Sequence, residues 1–342
     1  MRKFLGSAAC LALLSLGLAG AGARGTNPPA PTPAALPKID MEVLQIQVIL
    51  DHLRFSPGVL DGQTGRSFEA ALRGFQLSRG LKPSGQPDAA TLAALKPYRA
   101  LRPVRKLALT EEALAGPYIN PTPEDPVEQG KLVSMAYRGP LEKLAEMFHT
   151  TPQVLRALND PKALLRPGTV LTFPNALPFS RQYAADLDPD WRGTLNMLNV
   201  DAVQPEGAKI VVDRSERVLK VYDADGKLVA QFSATMGSKH DPLPIGTWKI
   251  QGADYNPRFH YNPELFWDVS DSKEKVQLPP GPNGPVGVVW LDLSKPHYGI
   301  HGTPEPHTIG RSESHGCIRL TNWDAARLAM MVKPGTPAIF QE

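Results

Sequence analysis

The chain has 342 residues, 42% of them hydrophobic and 21% charged, with 35 prolines, two cysteines and a formal net charge of +3. So small a charge excludes the basic footprint of a nucleic-acid binder. The prolines exclude an architecture of long uninterrupted helices, and the length is that of two or three domains.

Arg2 and Lys3 precede an apolar run from Ala8 to Leu18, and the small residues "AGA" at 21–23 offer a cleavage site. This is the pattern of a secretory signal peptide, expected over 1–23. The run is too short for a comfortable membrane span, and no later run is long enough, so no transmembrane anchor is expected in the mature chain. Most of the run follows Cys10, which argues against a lipid anchor there. Cleavage near Ala23 removes Arg2, Lys3 and Cys10, leaving a net charge of +1 and Cys317 as the one cysteine. A thiol without a partner in an exported chain is either a reactive group or a small buried hydrophobe.

Residues 24–39 are a Pro/Ala-rich tether, expected to be extended. A small three-helix module is expected over 40–97. Val43, Ile46, Leu50 and Leu53 make one amphipathic stripe, and Phe68, Ala71, Leu72 and Phe75 a second, with Gly80 placed to end it. "SPGVLDGQTG" is turn chemistry between them, and Asp88 is a candidate N-cap for a third helix. The segments "LQIQVIL", "GVLDGQTGRSFEAALRGFQLSRGL" and "GQPDAATLAAL" resemble the peptidoglycan-binding three-helix module.

A Pro-rich linker is expected over 98–128, followed by a βααβ unit over 129–175. Its opening strand is expected in "KLVSMAY". "PLEKLAEMF" and "TTPQVLRALN" have helical spacing, the second with Thr151 as N-cap and Pro152 at the first helical position. "RPGTVLTFP" reads as a turn and a closing strand. The unit is similar to a LysM module, which in that family binds N-acetylglucosamine-containing wall glycan; a structural spacer is the other reading. Residues 176–206 are expected as a second linker.

From 207 to 342 the character is mainly β. "RVLKVYDADGKLVAQFSAT" is a hairpin around Asp225-Gly226. In its second arm Leu228, Ala230, Phe232 and Ala234 alternate with Gln231 and Ser233, as in a half-buried strand. Short strands follow in "GTWKI", "VGVVWLDL", "YGIHG" and "CIRL", with a late helix in "NWDAARLAMMV". The expected class is multidomain α+β, ending in a sandwich-like β domain.

If "SHGCIRL" is extended, His315, Cys317 and Arg319 share one face, and Gly316, Ile318 and Leu320 the other. A thiol flanked by an imidazole and a guanidinium reads as a nucleophile rather than a core residue. It needs a base or nearby positive charge to become a thiolate. It also needs donors for an oxyanion, which the Gly316 and Cys317 amides can supply. Arg319 can hold a substrate carboxylate or carbonyl and favour the thiolate. His315 and His301 are both candidate bases, and spacing does not choose between them. A zinc site from His301, His315 and Cys317 is the competing chemistry. The absence of HExxH, CxxC or an acidic ligand counts against it, and His297 and His307 read as loop or surface residues.

The stretch "KPHYGIHGTPEPHTIGRSESHGCIRLTNWDA", with "PLPIGTW" and "LPPGPNGPVG", resembles the YkuD-type L,D-transpeptidases. The resemblance implies Cys317 as nucleophile and His301 as general base, its ring oriented by a backbone carbonyl. It implies His315 as a supporting histidine and Gly316 at the oxyanion hole, and Arg319 fits the family's pattern. Tyr298, Gly302 and Ser314 are the candidate substrate-binding residues. No metal and no cofactor is implied.

The implied reaction is thioester formation on the third stem residue of a tetrapeptide donor, with loss of D-Ala and transfer to an amine. The amine belongs to a second stem (a 3→3 cross-link), to an outer-membrane lipoprotein, or to a free D-amino acid. The implied partners are peptidoglycan glycan and stem peptides, the place is the periplasm at the cell wall, and acylation by carbapenems follows. A hydrolytic L,D-carboxypeptidase or endopeptidase and a non-catalytic wall-binding scaffold are the alternatives.

Overall fold

A computed structural model describes residues 35–265, 274–314 and 316–342. The expected signal peptide, most of the tether and His315 lie outside these residues. Leu36–Glu342 is one compact unit. No helix among the described residues is long and apolar enough to cross a membrane.

The N-terminal module contains α1 (Met41–His52), a short strand β1 (Phe55–Ser56), α2 (Arg66–Ser78) and α3 (Ala89–Leu95). Asp40 caps α1 and Asp88 caps α3 through the Thr91 amide at 2.9 Å, and Gly80 follows α2 with φ of +65°. Phe55, Phe68, Leu72 and Phe75 close its core.

The middle region opens with β2 (Val104–Ala108) and continues through α4 (Glu111–Leu114), α5 (Pro126–Gly130), α6 (Pro140–Met147) and α7 (Pro152–Leu158) to β3 (Val170–Pro174). Thr151 caps α7 as expected. The opening strand differs from expectation. Residues 131–137 are not a strand; the antiparallel partner of β3 is β2, inside the expected linker. The physical reason is that Met135 is bonded elsewhere. Its amide donates to Pro280 O at 2.8 Å, and its carbonyl accepts from the Asn283 amide at 2.9 Å. Leu109, Leu144, Phe148, Leu155, Leu171 and Phe173 form this region's own core.

The expected second linker contains a helix that packs on the last region. This is α8 (Pro189–Met197), capped by Asp188, and Trp191, Leu195 and Leu198 enter the main core. Strands β4 (Lys209–Asp213), β5 (Val218–Tyr222), β6 (Leu228–Ser233), β7 (Thr235–Met236) and β8 (Gly246–Tyr255) follow. Then come β9 (Phe259–Tyr261), β10 (Val276–Leu278), β11 (Val289–Leu293), β12 (Gly299–His301), β13 (Ile318–Arg319), α9 (Asn322–Met331) and β14 (Pro337–Gln341). β9 and β10 pair with each other; the remaining strands, with β1, form a ten-stranded sheet ordered β1-β6-β5-β4-β14-β8-β11-β12-β13-β7. Ile210 and Phe232 from one half share a core with Leu291, Ile300 and Ile318 from the other. A flat sheet could not bring them together, so it folds over itself as a sandwich does.

The N-terminal module supplies an edge of that sheet. β1 lies parallel to β6, with Phe55 opposite Gln231. Gln231 and Ser233, on the polar side of the expected alternation, are therefore buried, at 2% and 3% exposure. The Gln231 side chain donates to Ala70 O at 2.6 Å, reaching into α2.

Candidate active site

β12 and β13 run parallel, with Ile300 opposite Ile318 and His301 opposite Arg319. Ile300 and Ile318 point into the core. Alternation then puts His301 and Arg319 together on the other face, and Cys317, just before β13, lies near enough to feel the Arg319 charge and the Gly299 amide of β12. The extended stretch is shorter than expected, because Gly316 turns the chain with φ of +99°. The strand itself is Ile318–Arg319, so alternation does not reach back to Cys317.

The His301 side chain is buried, and its Nδ1 lies 2.7 Å from Gly302 O. A carbonyl only accepts, so the proton is on Nδ1 and Nε2 keeps its lone pair. The Trp290 ring stacks on the imidazole, 5.4 Å between centroids at 19°. Burial, then the Arg319 charge, push the imidazole pKa down to about 3.

Cys317 is partly buried. Its thiol donates to His297 O at 3.8 Å, and the Gly299 amide donates to the sulfur. Burial pushes the thiol pKa up, against the pull of that amide and of Arg319. The resting pair is thus a neutral thiol and a neutral imidazole. Arg319 is half-buried, and its Nε has no hydrogen-bond partner among the described residues. No group of three or more His, Cys, Asp or Glu among those residues is arranged to hold a metal.

Residues 207–340 match the YkuD family, the L,D-transpeptidase catalytic domain, and residues 40–95 match the "Putative peptidoglycan binding domain".

Residues 207–340 are a YkuD-type L,D-transpeptidase domain.

An N-terminal peptidoglycan-binding domain precedes it. The chain is 35% identical over 128 residues to the "Putative L,D-transpeptidase YkuD" of Bacillus licheniformis, covering 37% of this chain and 62% of that protein. It is 56% identical over 55 residues to the protein of the same name from Bacillus subtilis, covering 16% of this chain and 34% of that protein. Thus the chain spans about a third to three-fifths of the length of these relatives. Among solved structures, an L,D-transpeptidase from Mycobacterium smegmatis is 24% identical, with a TM-score of 0.32, covering 39% of this chain and 58% of that one.

In the transpeptidase domain, Tyr298 is half-buried beside the thiol, with the Lys295 ammonium 5.0 Å from its ring centre. A Cβ on Gly316 would meet the Tyr298 ring at 2.8 Å, so both space and backbone angle require glycine there. Ser314 departs from its expected role as a substrate contact. It is buried, accepting from the Gly237 amide and donating to Cys317 O, both at 2.7 Å. With its hydroxyl engaged, it fastens the turn that carries Cys317. Gly302 is also buried, and what it offers the site is the carbonyl that holds His301.

Sequence reasoning missed Trp290, Gly299 and Asn322. Trp290 had a signal, since it sits in the strand-like run "VGVVWLDL" and pairs across from His301. Asn322 opens α9 directly after β13, and its Oδ1 accepts from the Val288 amide at 3.2 Å. "RLTN" reads only as a helix start.

Proposed function

We propose that the protein is a peptidoglycan L,D-transpeptidase with Cys317 as nucleophile and His301 as general base. What carries this reading is the His301 ring: neutral, fixed through Nδ1 to Gly302 O so that Nε2 keeps its lone pair, and set opposite Arg319, whose charge acts on both His301 and Cys317. The Cys317 proton passes to Nε2 as Sγ bonds to the carbonyl carbon of the third stem residue, so the thiolate forms only as substrate engages. The oxyanion is met by the Gly316 and Cys317 amides. The tetrahedral adduct collapses, the C–N bond to D-Ala breaks, and protonated His301 gives its proton to the leaving amine. An acceptor amine then attacks the thioester, losing its proton to Nε2, and the thiol is restored. Arg319, with a guanidinium Nε left unpaired, is suited to a substrate carboxylate or carbonyl, and Tyr298 lines the approach. His315 is the supporting histidine.

The acceptor is a second stem peptide or a lipoprotein amine; with water in its place the enzyme trims stems instead. The protein is exported and associated with the wall, where its N-terminal domain and a LysM-like middle region hold it on the polymer. In the first test, purified protein is incubated with disaccharide-tetrapeptide. Released D-Ala with dimeric or acceptor-linked product is expected, and Cys317→Ala releases none. Wild-type turnover by Cys317→Ala contradicts the nucleophile assignment. His301→Ala should slow thioester formation more than His315→Ala does; the opposite order makes His315 the base.

A further inference from the structure

Asn322 is fully buried against the catalytic strands, at 0% exposure. Its Nδ2 donates to Pro282 O at 3.1 Å and to Glu146 Oε1 at 2.7 Å. Glu146 belongs to α6 of the middle region and is itself buried, at 6% exposure. With both amide protons assigned, the Asn322 carbonyl is aimed at the Val288 amide and at the backbone of Gly287 and Gly302. A Cβ on either glycine would collide with Asn322 Oδ1. Gly302 is thus pressed against Asn322 on one side and holds His301 Nδ1 through its carbonyl on the other.

We propose that Glu146 is a positioning residue for His301, acting through Asn322 and the Gly302 backbone. The middle region then has a second role: it completes the support of the catalytic base. Nothing in this role requires glycan binding. The inference rests on the reading of His301 as the base. Glu146 touches no reacting atom. Without its acceptor, the Asn322 amide keeps one of two partners and can rotate, releasing Gly302 O from its line with Nδ1. A misplacement of about 1 Å at a catalytic group costs about 100-fold in rate.

The test follows covalent adduct formation by the full-length protein with meropenem, using intact mass at several drug concentrations. For Glu146→Leu and Asn322→Ala the limiting acylation rate should fall roughly 10- to 100-fold, while the half-saturating concentration moves less than about threefold. Glu146→Gln keeps an acceptor for Asn322 and should stay within about threefold of wild type. Thermal unfolding of the same samples identifies any variant that has lost its fold, and Asn322→Ala keeps the comparison if Glu146→Leu does not fold. A wild-type rate in folded Glu146→Leu or Asn322→Ala overturns the proposal, as does equal loss in Glu146→Gln and Glu146→Leu. A wild-type protein that forms no adduct instead removes the Cys317–His301 reading, and this inference with it.

Discussion

Two polar clusters lie close together in the last region, one on the first half of α9 and one on the strands before it, and they are satisfied to different degrees. On α9, Arg327 Nη1 and Nη2 grip Asp51 of α1 at 2.7 and 2.9 Å, and Nη1 also reaches Asp324 at 3.1 Å. Asp324 accepts from Ser56 at 2.7 Å, and His149 spans Asp51 and Leu198 O at 3.0 and 2.8 Å while stacking on Trp323. All three regions of the chain contribute, and the charges are paired. On the strands before α9, Arg319 Nε has no partner among the described residues, the thiol has a long bond to a carbonyl and the Gly299 amide, and His301 is held through Nδ1 to Gly302 O. A network with full pairing rigidifies, whereas polar groups left open await a ligand. The difference separates the fastening of this molecule from its chemistry.

The largest effect should come from breaking the fastening. Burial works to raise the Asp51 carboxyl pKa, but Arg327 and His149 outweigh it and hold the group below its ordinary range. Arg327→Leu leaves Asp51 and Asp324 buried with their cation gone, at a cost of about 3–5 kcal/mol. Urea unfolding should show it, and a loss below about 1 kcal/mol would mean that water already reaches the cluster.

The two clusters should also part in their response to pH. His301 binds its proton near pH 6.5 when unfolded and near 3 when folded, so across that window the unfolded chain holds the extra proton. Stability present above pH 6.5 is lost as pH falls, by up to about 1.4 kcal/mol per unit. Glu146 runs the other way. Burial raises its pKa from 4.5 to about 7, so its contribution is full below 4.5 and is lost as pH rises toward 7. Unfolding of wild type, His301→Gln and Glu146→Gln between pH 5 and 7 should give a shallower rise with pH for the first variant and a steeper one for the second. Parallel curves would show that neither group is shielded from solvent.

The smallest effect belongs to the turn. Ser314→Ala leaves the Gly237 amide and the Cys317 carbonyl without the hydroxyl that joins them, at about 1–2 kcal/mol. Adduct formation should slow by roughly tenfold through the loosened nucleophile. Unchanged kinetics would make Ser314 a fold residue alone.

The short strands "GIHG" and "CIRL" were within reach of the sequence, because strand composition is a local signal; spacing left His301 and His315 both open as the base, and only the family resemblance chose between them. The joints between regions were out of reach. Gln231 and Ser233 have the period of a solvent face, and only the arrival of β1 and α2 buries them. Glu146 and His149, in "EMFHTT", look like the polar side of an amphipathic helix. Nothing local marks them as partners of Asn322 and Asp51, which are 176 and 98 residues away. The adjacent charges of "VRKLA" hid a strand in a linker, while "KLVSMAY" had the composition of a strand but the Met135 backbone is bonded to the 280–283 loop. Local periodicity reports one buried face; it does not report a face covered by another part of the chain.

The central claim is that Cys317, served by a neutral His301, is the acyl-carrying group. Its most direct test is peptide mapping after incubation with a carbapenem, on wild type, Cys317→Ser and His301→Ala. The account predicts a single covalent adduct on the peptide containing Cys317, none in Cys317→Ser, and adduct in His301→Ala only at much longer times. An adduct on any other residue, or equal acylation with and without His301, would contradict it.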